Sequence, residues 1–269
     1  MRAVQISLVI NTYEQPGPLE QVLRGVNGQS EMPGEILVAD DGSGAPTREL
    51  IGQWQKRLAT PLRHIWQPDL GFRRTFILNQ AIAAAKGEYV VALDGDCVPH
   101  PKFIADHAAL AEKDFWVQGR RCFVGEKFAP EFSAGTTPVW RWMLMGRITG
   151  AAKAVHLPWP IVRRNTEQRG ILGCNMGIWR DDLLAVNGFD EEYTGWGLED
   201  SDLGSRLYHL GRARKFVYGQ AVVYHLNHAR SGRPALDASR ERLAQTIRSR
   251  KIRCERGMDQ YLSRAGRPA

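Results

Sequence analysis

Short apolar runs alternate with longer mixed segments through the first third of the chain. Residues 4–10 are rich in β-branched side chains and read as a strand, followed by Asn11-Thr12-Tyr13, a Pro/Gly break and a helical segment over about 19–26. Residues 35–39 form a second strand, ending at Asp40-Asp41-Gly42-Ser43, and a helical stretch follows over about 47–58. Residues 62–66 give a third strand, 72–85 a helix, and 88–93 a strand ending in Asp94-Gly95-Asp96. Strands alternating with helices predict a parallel sheet covered by helices. Ligands bind such sheets beyond the carboxyl ends of the strands. Three polar motifs at three such ends are therefore expected to converge on one crevice.

The pattern weakens from about 115 to 168, where Trp116, Trp140, Trp142 and Trp159 stand among arginines, glycines and prolines. A short amphipathic helix over about 138–148 is expected there. Order returns at Gly173-Cys174-Asn175-Met176, with a helix from Asp181 and a turn at Asn187-Gly188. Gly195-Trp196-Gly197-Leu198-Glu199-Asp200-Ser201-Asp202 opens a helical segment to about Leu210. Residues 215–224 read as one or two strands leading to His225-Leu226-Asn227-His228. In the tail, Leu236, Leu243, Ile247, Cys254, Met258 and Tyr261 recur at helical spacings, which predicts one apolar stripe opposite an arginine-rich face.

Charge sharpens this division. The chain has 269 residues and a net charge of +7. Residues 230–269 hold 11 Lys/Arg against 4 Asp/Glu, so the excess is all in the tail and the rest is neutral. A neutral globule with a basic tail argues against a nucleic-acid binder and allows contact with an anionic membrane surface. The four cysteines are scattered without a Cys-x-x-Cys pair, which suggests neither a zinc site nor a disulfide framework. There is no signal-peptide pattern and no membrane-spanning apolar run, so a cytoplasmic protein is expected, peripheral on the inner membrane if the tail binds lipid. The expected division is 1–115, 116–229 and 230–269.

The ordered set Asn11-Thr12-Tyr13, Asp40-Asp41-Gly42-Ser43, Gly71 to Asn79 and Asp94-Gly95-Asp96 resembles the family 2 inverting glycosyltransferases of GT-A fold. The later block Gly173 to Met176, Gly188-Phe189-Asp190-Glu191 and Gly195 to Asp202 resembles the C-terminal domain of β-1,4-galactosyltransferases and chondroitin-polymerase-type enzymes. The resemblance implies an α/β fold: a Rossmann-like, mostly parallel nucleotide-binding sheet merged with a smaller acceptor-binding α+β part, plus the helical tail. It implies a UDP-sugar donor, slightly favouring galactose or N-acetylgalactosamine, and a glycan or lipid-linked glycan acceptor in bacterial surface polysaccharide or lipopolysaccharide synthesis.

Residue by residue, it gives Asp96 the coordination of Mn²⁺ or Mg²⁺, with Asp94 nearer the ribose and metal waters and His225 or His228 completing the site. Thr12, Tyr13, Asp40 and Asp41 would hold the nucleotide. Asn79 would join them, with Arg73 or Arg74 on the diphosphate, because the arginine usual before Asn79 is replaced here by Leu78. Asp200 would be the base, Glu199 would hydrogen-bond the sugars, and Asn175, Trp196 and Gly197 would line the acceptor side.

Two other functions fit parts of the pattern. Leu93 to Val98 also matches the Asp-x-Asp motif of haloacid-dehalogenase phosphatases, with Asp94 as nucleophile. A non-catalytic nucleotide-sugar binding module would share the fold, although every expected catalytic position is filled.

Overall fold

The computed structural model describes residues 4–150, 153–195, 197–228 and 236–262. Four parallel strands form one half of its main sheet: β1 (Ile6–Thr12), β2 (Glu35–Asp40), β3 (Leu62–Trp66) and β4 (Tyr89–Asp94), in the order β3-β2-β1-β4. Strands β1, β2 and β4 are buried along nearly their whole length because helices cover both sides, whereas the edge strand β3 is mostly half-buried and carries Arg63 and His64. Helix α1 (Pro16–Asn27) starts with proline in its first turn, where no amide partner is lost, and buries Leu19, Val22, Leu23 and Val26 at helical spacing. Helices α2 (Ala45–Arg57) and α3 (Arg74–Ala84) complete the crossovers. These seven elements lie within a few residues of the sequence expectation.

After β4 the chain departs from simple alternation. A short strand, β5 (Cys97–Pro99), leaves the main sheet, and α4 (Phe103–Leu110) follows. Strands β6 (Phe115–Gln118) and β7 (Arg120–Val124) are separated by Gly119 alone and belong to different sheets. Helix α5 (Val139–Leu144), β8 (Ile148–Thr149) and β9 (Ile161–Asn165) occupy the segment that sequence reasoning left largely unassigned. Strand β10 (Asn175–Trp179) then inserts antiparallel between β4 and β6, and α6 (Arg180–Val186) leads to a left-handed turn at Asn187-Gly188. Helix α7 (Glu199–His209), β11 (Ala213–Tyr218) and β12 (Val222–Leu226) close the body.

The main sheet is thus β3-β2-β1-β4-β10-β6-β11-β9, and the smaller one is β5-β12-β7-β8. The small sheet carries β12 beside β5, with His225 paired to Cys97. This places His225, more than a hundred residues away in sequence, next to Asp96. The second and third thirds of the chain therefore interleave, and the boundary at 115–116 separates sequence blocks rather than separate cores.

The tail corrects one expectation. Leu236, Leu243 and Ile247 fall on α8 (Leu236–Ser249) and Tyr261 on α9 (Asp259–Leu262), while Cys254 and Met258 lie between the two, outside any helix. Met258 and Cys254 are buried against the body, and Thr246 donates a hydrogen bond to Asp202 at 2.7 Å. Cys254 N–H donates to Val186 O, and Met258 N–H to Asn187 O. The six positions therefore form no single helical stripe: Cys254 and Met258 are buried on the body, Tyr261 packs partly buried against it, and Ile247 is 38% exposed. Among the described residues no helix is long and apolar enough to cross a membrane.

Candidate active site

The carboxyl ends of β1, β2 and β4 meet the end of β12 around a cavity of about 410 Å³. Asn11, Thr12 and Tyr13 from β1, Asp41 after β2 and Asp94 and Asp96 after β4 line one side. Arg121, Phe123 and His225 from the small sheet and His228 just past β12 line the other, with Arg74 and Phe72 at the start of α3. The tight Asp94-Gly95-Asp96 link demands glycine, because a Cβ on Gly95 would lie 2.6 Å from Asn11 O.

Asp96 sits between two histidines. Its Oδ2 is 3.0 Å from His228 Nε2 and 3.3 Å from His225 Nε2. Burial works against its charge, but the His228 hydrogen bond and the nearby His225 hold its carboxyl below the usual range. Burial pushes the His225 imidazole down, towards its neutral form, and its buried Nδ1 has no hydrogen-bond partner. One carboxylate and two imidazoles, with ligand atoms all within 4.8 Å, fit a divalent first-row cation. The two nitrogens favour Mn²⁺ over Mg²⁺.

Asp94 is not part of that group. Its Oδ1 accepts from Arg74 Nη2 at 2.9 Å, while Arg74 Nη1 donates to Glu199 Oε1 at 2.8 Å. Arg74 thus ties the end of β4 to the start of α7. Burial alone would lower its basicity, but Asp94, Glu199 and Asp200 more than reverse that and keep it firmly charged. Glu199 Oε2 also accepts the Gly197 N–H at 3.0 Å. Asp200 accepts the Gly173 N–H at 2.7 Å and the Ser201 N–H at 2.7 Å. Burial, with the charge of Glu199 adding, raises the Asp200 carboxyl to about 6. Glu199 and Asp200 are outside the cavity wall proper and adjoin it through Arg74.

The other expected residues divide clearly. Thr12, Tyr13 and Asp41 face the cavity; burial raises the Asp41 carboxyl, which accepts Gln67 Nε2 and the Arg73 N–H. Asp40 does not: it is enclosed by the Ser43 N–H and by His64 Nε2, each at 2.8 Å. Arg73 turns away, with its guanidinium over the Phe76 ring, so of these two Arg74 is the one that lines the cavity, beside Arg121. Asn79 is fully buried and bonds to Phe189 N–H, Phe189 O and Glu191, holding α3 to the turn after α6. Asn175 is likewise buried, between His107 and Ala221 O. Both asparagines are packing residues, because buried amides need every partner they can reach. Trp196 lies outside the described residues.

Sequence reasoning missed Arg121, Phe123, Phe72 and Asn227 in the cavity wall. The alternation in Arg120–Val124, with Cys122 buried and its neighbours facing the cavity, was the available signal. It was too short to stand out from its surroundings.

Comparison with known families settles the class. The model described as "Glycosyl transferase family 2" matches residues 7–158, more than half of the chain. The chain belongs to glycosyl transferase family 2. A second model, "N-terminal domain of galactosyltransferase", matches residues 155–229. Similar curated proteins include validoxylamine A glucosyltransferase of Streptomyces hygroscopicus subsp. limoneus, 28% identical over 77% of this chain and 48% of that protein. Others are the hyaluronan synthase of Pasteurella multocida, 26% identical over 82% and 24%, and the chondroitin synthase of Escherichia coli, 28% identical over 82% and 34%. The chain therefore spans about a quarter to a half of the length of these relatives.

Among solved structures, the Pyrobaculum calidifontis mannosyltransferase PcManGT, in complex with GDP-Man and Mn²⁺, superposes with a TM-score of 0.59 at 18% identity, over 98% of this chain and 69% of that one. Staphylococcus aureus TarS 1-349, in complex with UDP, gives 0.62 at 14% over 97% and 70%. These likenesses establish the GT-A fold. The phosphatase reading of Asp94 falls with this assignment, and Asp94 is held in an ion pair with Arg74.

Proposed function

We propose that this family 2 chain transfers a sugar from a UDP-sugar to a hydroxyl of a glycan or lipid-linked glycan, with inversion and with Mn²⁺ or Mg²⁺. The observation that carries the proposal is the meeting of Asp96, His225 and His228 with the β1 and β2 loops around one cavity, joined by Arg74 to Glu199 and Asp200. Asp96, His225 and His228 would hold the metal, which supplies Lewis-acid neutralisation of a leaving diphosphate. Thr12, Tyr13 and Asp41 form the nucleotide end of the cavity. Arg74 fixes the carboxylates of Asp94 and Glu199, so that both present a defined oxygen to sugar hydroxyls.

Asp200 takes the acceptor proton. A carboxylate with a pKa near 6 is a stronger base than an ordinary aspartate and still ionised at neutral pH. One base-assisted displacement inverts the anomeric centre. Galactose or N-acetylgalactosamine as the sugar is supported by the match to the galactosyltransferase domain. Hyaluronan and chondroitin synthases among the similar proteins support a polysaccharide acceptor, which we assign to bacterial surface polysaccharide or lipopolysaccharide synthesis. We place the reaction in the cytoplasm, at the inner membrane when the acceptor is lipid-linked.

A nucleotide-sugar panel tests this by thermal shift and hydrolysis, with Mn²⁺ and with EDTA. Stabilisation by one UDP-sugar that EDTA removes is expected, and NMR should show an inverted product. A retained anomer, or no response to any nucleotide sugar in Mn²⁺, overturns it.

A further inference from the structure

Residues 132–166 contain no Asp or Glu and five basic residues, Arg141, Arg147, Lys153, Arg163 and Arg164. Within this stretch α5 has two unlike faces. Trp142 turns inward, 8% exposed, against the rings of Phe128 and Phe132. Trp140 and Leu144, one turn apart, point the other way at 67% and 81% exposed, and Met145 beside them is 53% exposed. Single apolar side chains are ordinary on a surface, but three large ones within six residues, on α5 and its C-cap, mark a contact face. Arg141 is exposed between them, and Arg147 lies over Phe128 and Trp142 at the base of the helix. Helix α5 runs into β8, whose Thr149 pairs with Phe123 in the cavity wall, so this face stands one strand from the site.

We propose that the α5 face rests on an anionic lipid bilayer, with Trp140, Leu144 and Met145 entering the headgroup boundary and Arg141 and Arg147 at phosphate level. The local charge favours this partner: from Phe132 to Lys153 the chain carries Arg141, Arg147 and Lys153 and no carboxylate, against Glu126 and Glu131 in the turn before it, so the basic groups beside the apolar side chains meet acidic lipids favourably. A sugar would stack on Trp140 but would gain little from Leu144 and Met145, whereas lipid takes all three. The tail is the poorer candidate, since Met258 and Cys254 are spent on the body and α8 docks through Thr246. This deepens the lipid-linked acceptor reading above, on which its biological sense rests.

The test is co-sedimentation of the full chain, without donor or acceptor, with vesicles of about one-third phosphatidylglycerol in phosphatidylcholine and with pure phosphatidylcholine. Binding to the anionic vesicles is expected, weakening with salt. The triple variant W140S/L144S/M145S should bind at least about tenfold less tightly, with unchanged melting temperature and unchanged transfer to a soluble acceptor. Ile247→Ser on α8 should bind as the parent does. Absence of binding to anionic vesicles, equal binding by the triple variant, loss on Ile247→Ser alone, or displacement by a soluble glycan each overturns the proposal. Vesicle binding is read without turnover, so its failure is distinct from a failure of the transferase reading.

Discussion

Asp200→Asn should remove transfer and stabilise the fold, and the two effects share one cause. The Asp200 carboxyl is raised to about 6 by burial and then by Glu199. Against an unfolded value near 3.9, a shift of about two units corresponds to about 3 kcal/mol at neutral pH. Asp200 keeps a partly exposed edge, and solvent screening there makes this an upper bound. Asparagine has a single acceptor oxygen for the Gly173 and Ser201 amides, and losing one bond costs about 1 kcal/mol. The expected net gain is about 1 kcal/mol at pH 8.

The sign follows from linkage. A raised folded pKa gives stability that is fully present below about pH 4 and is lost as pH rises through about 6. The parent should therefore gain stability from this group on acidification from pH 8 to 5, and the variant should not. Urea unfolding at both pH values measures this, and kcat should fall by about 10²–10⁴-fold. In the parent, kcat/KM should drop tenfold per unit below about pH 6. A variant that keeps more than about a tenth of kcat, or that loses more than about 1 kcal/mol at pH 8, refutes the assignment of Asp200 as a buried, functionally raised base. A variant that still binds donor but does not transfer also excludes a pure binding module.

Removing the arginine bridge with Arg74→Met leaves Asp94 and Glu199 without their shared cation, which should cost about 3–5 kcal/mol by urea melt and abolish transfer; a parent-like melt would show that the bridge is not structural. His225→Ala should weaken Mn²⁺ binding by at least about tenfold in calorimetry, and unchanged affinity would remove it from the ligand set. Asn79→Ala should lower stability by about 2–4 kcal/mol through the bonds to Phe189 and Glu191 while leaving donor KM unchanged in the folded fraction. A large rise in donor KM with little loss of stability would restore it to the nucleotide site.

Much of the N-terminal half was legible because short apolar strands and longer helices alternate there regularly. Residues 4–94 alternate apolar strands with helices of eleven to thirteen residues, and the polar motifs fall at strand ends where a parallel sheet must place them. The segment from Phe115 onward was not legible in this way. Strands β6 and β8 are four and two residues long, and β7, no shorter than β3, follows β6 after a single glycine, so the strand–helix alternation that marks β1 to β4 is missing there. The same limit hid Arg121 and Phe123.

By itself, the sequence determined which carboxylates end which strands, and so the cluster of motifs at one crevice. It also set the acid-free stretch and the basic tail, since composition needs no fold. Tertiary structure decided between chemically equal neighbours. Arg73 and Arg74 are adjacent, but the start of α3 turns one onto Phe76 and the other between Asp94 and Glu199. Asp40 and Asp41 are adjacent, but the Ser43 turn and His64 enclose the first and leave the second facing the cavity. Asn79 and Asn175 carry motif-like surroundings yet serve buried backbone groups, because a buried amide is committed to whatever lies within its reach. His225 met Asp96 only once β12 had paired with β5, a contact fixed by sheet register and by no local property of either residue.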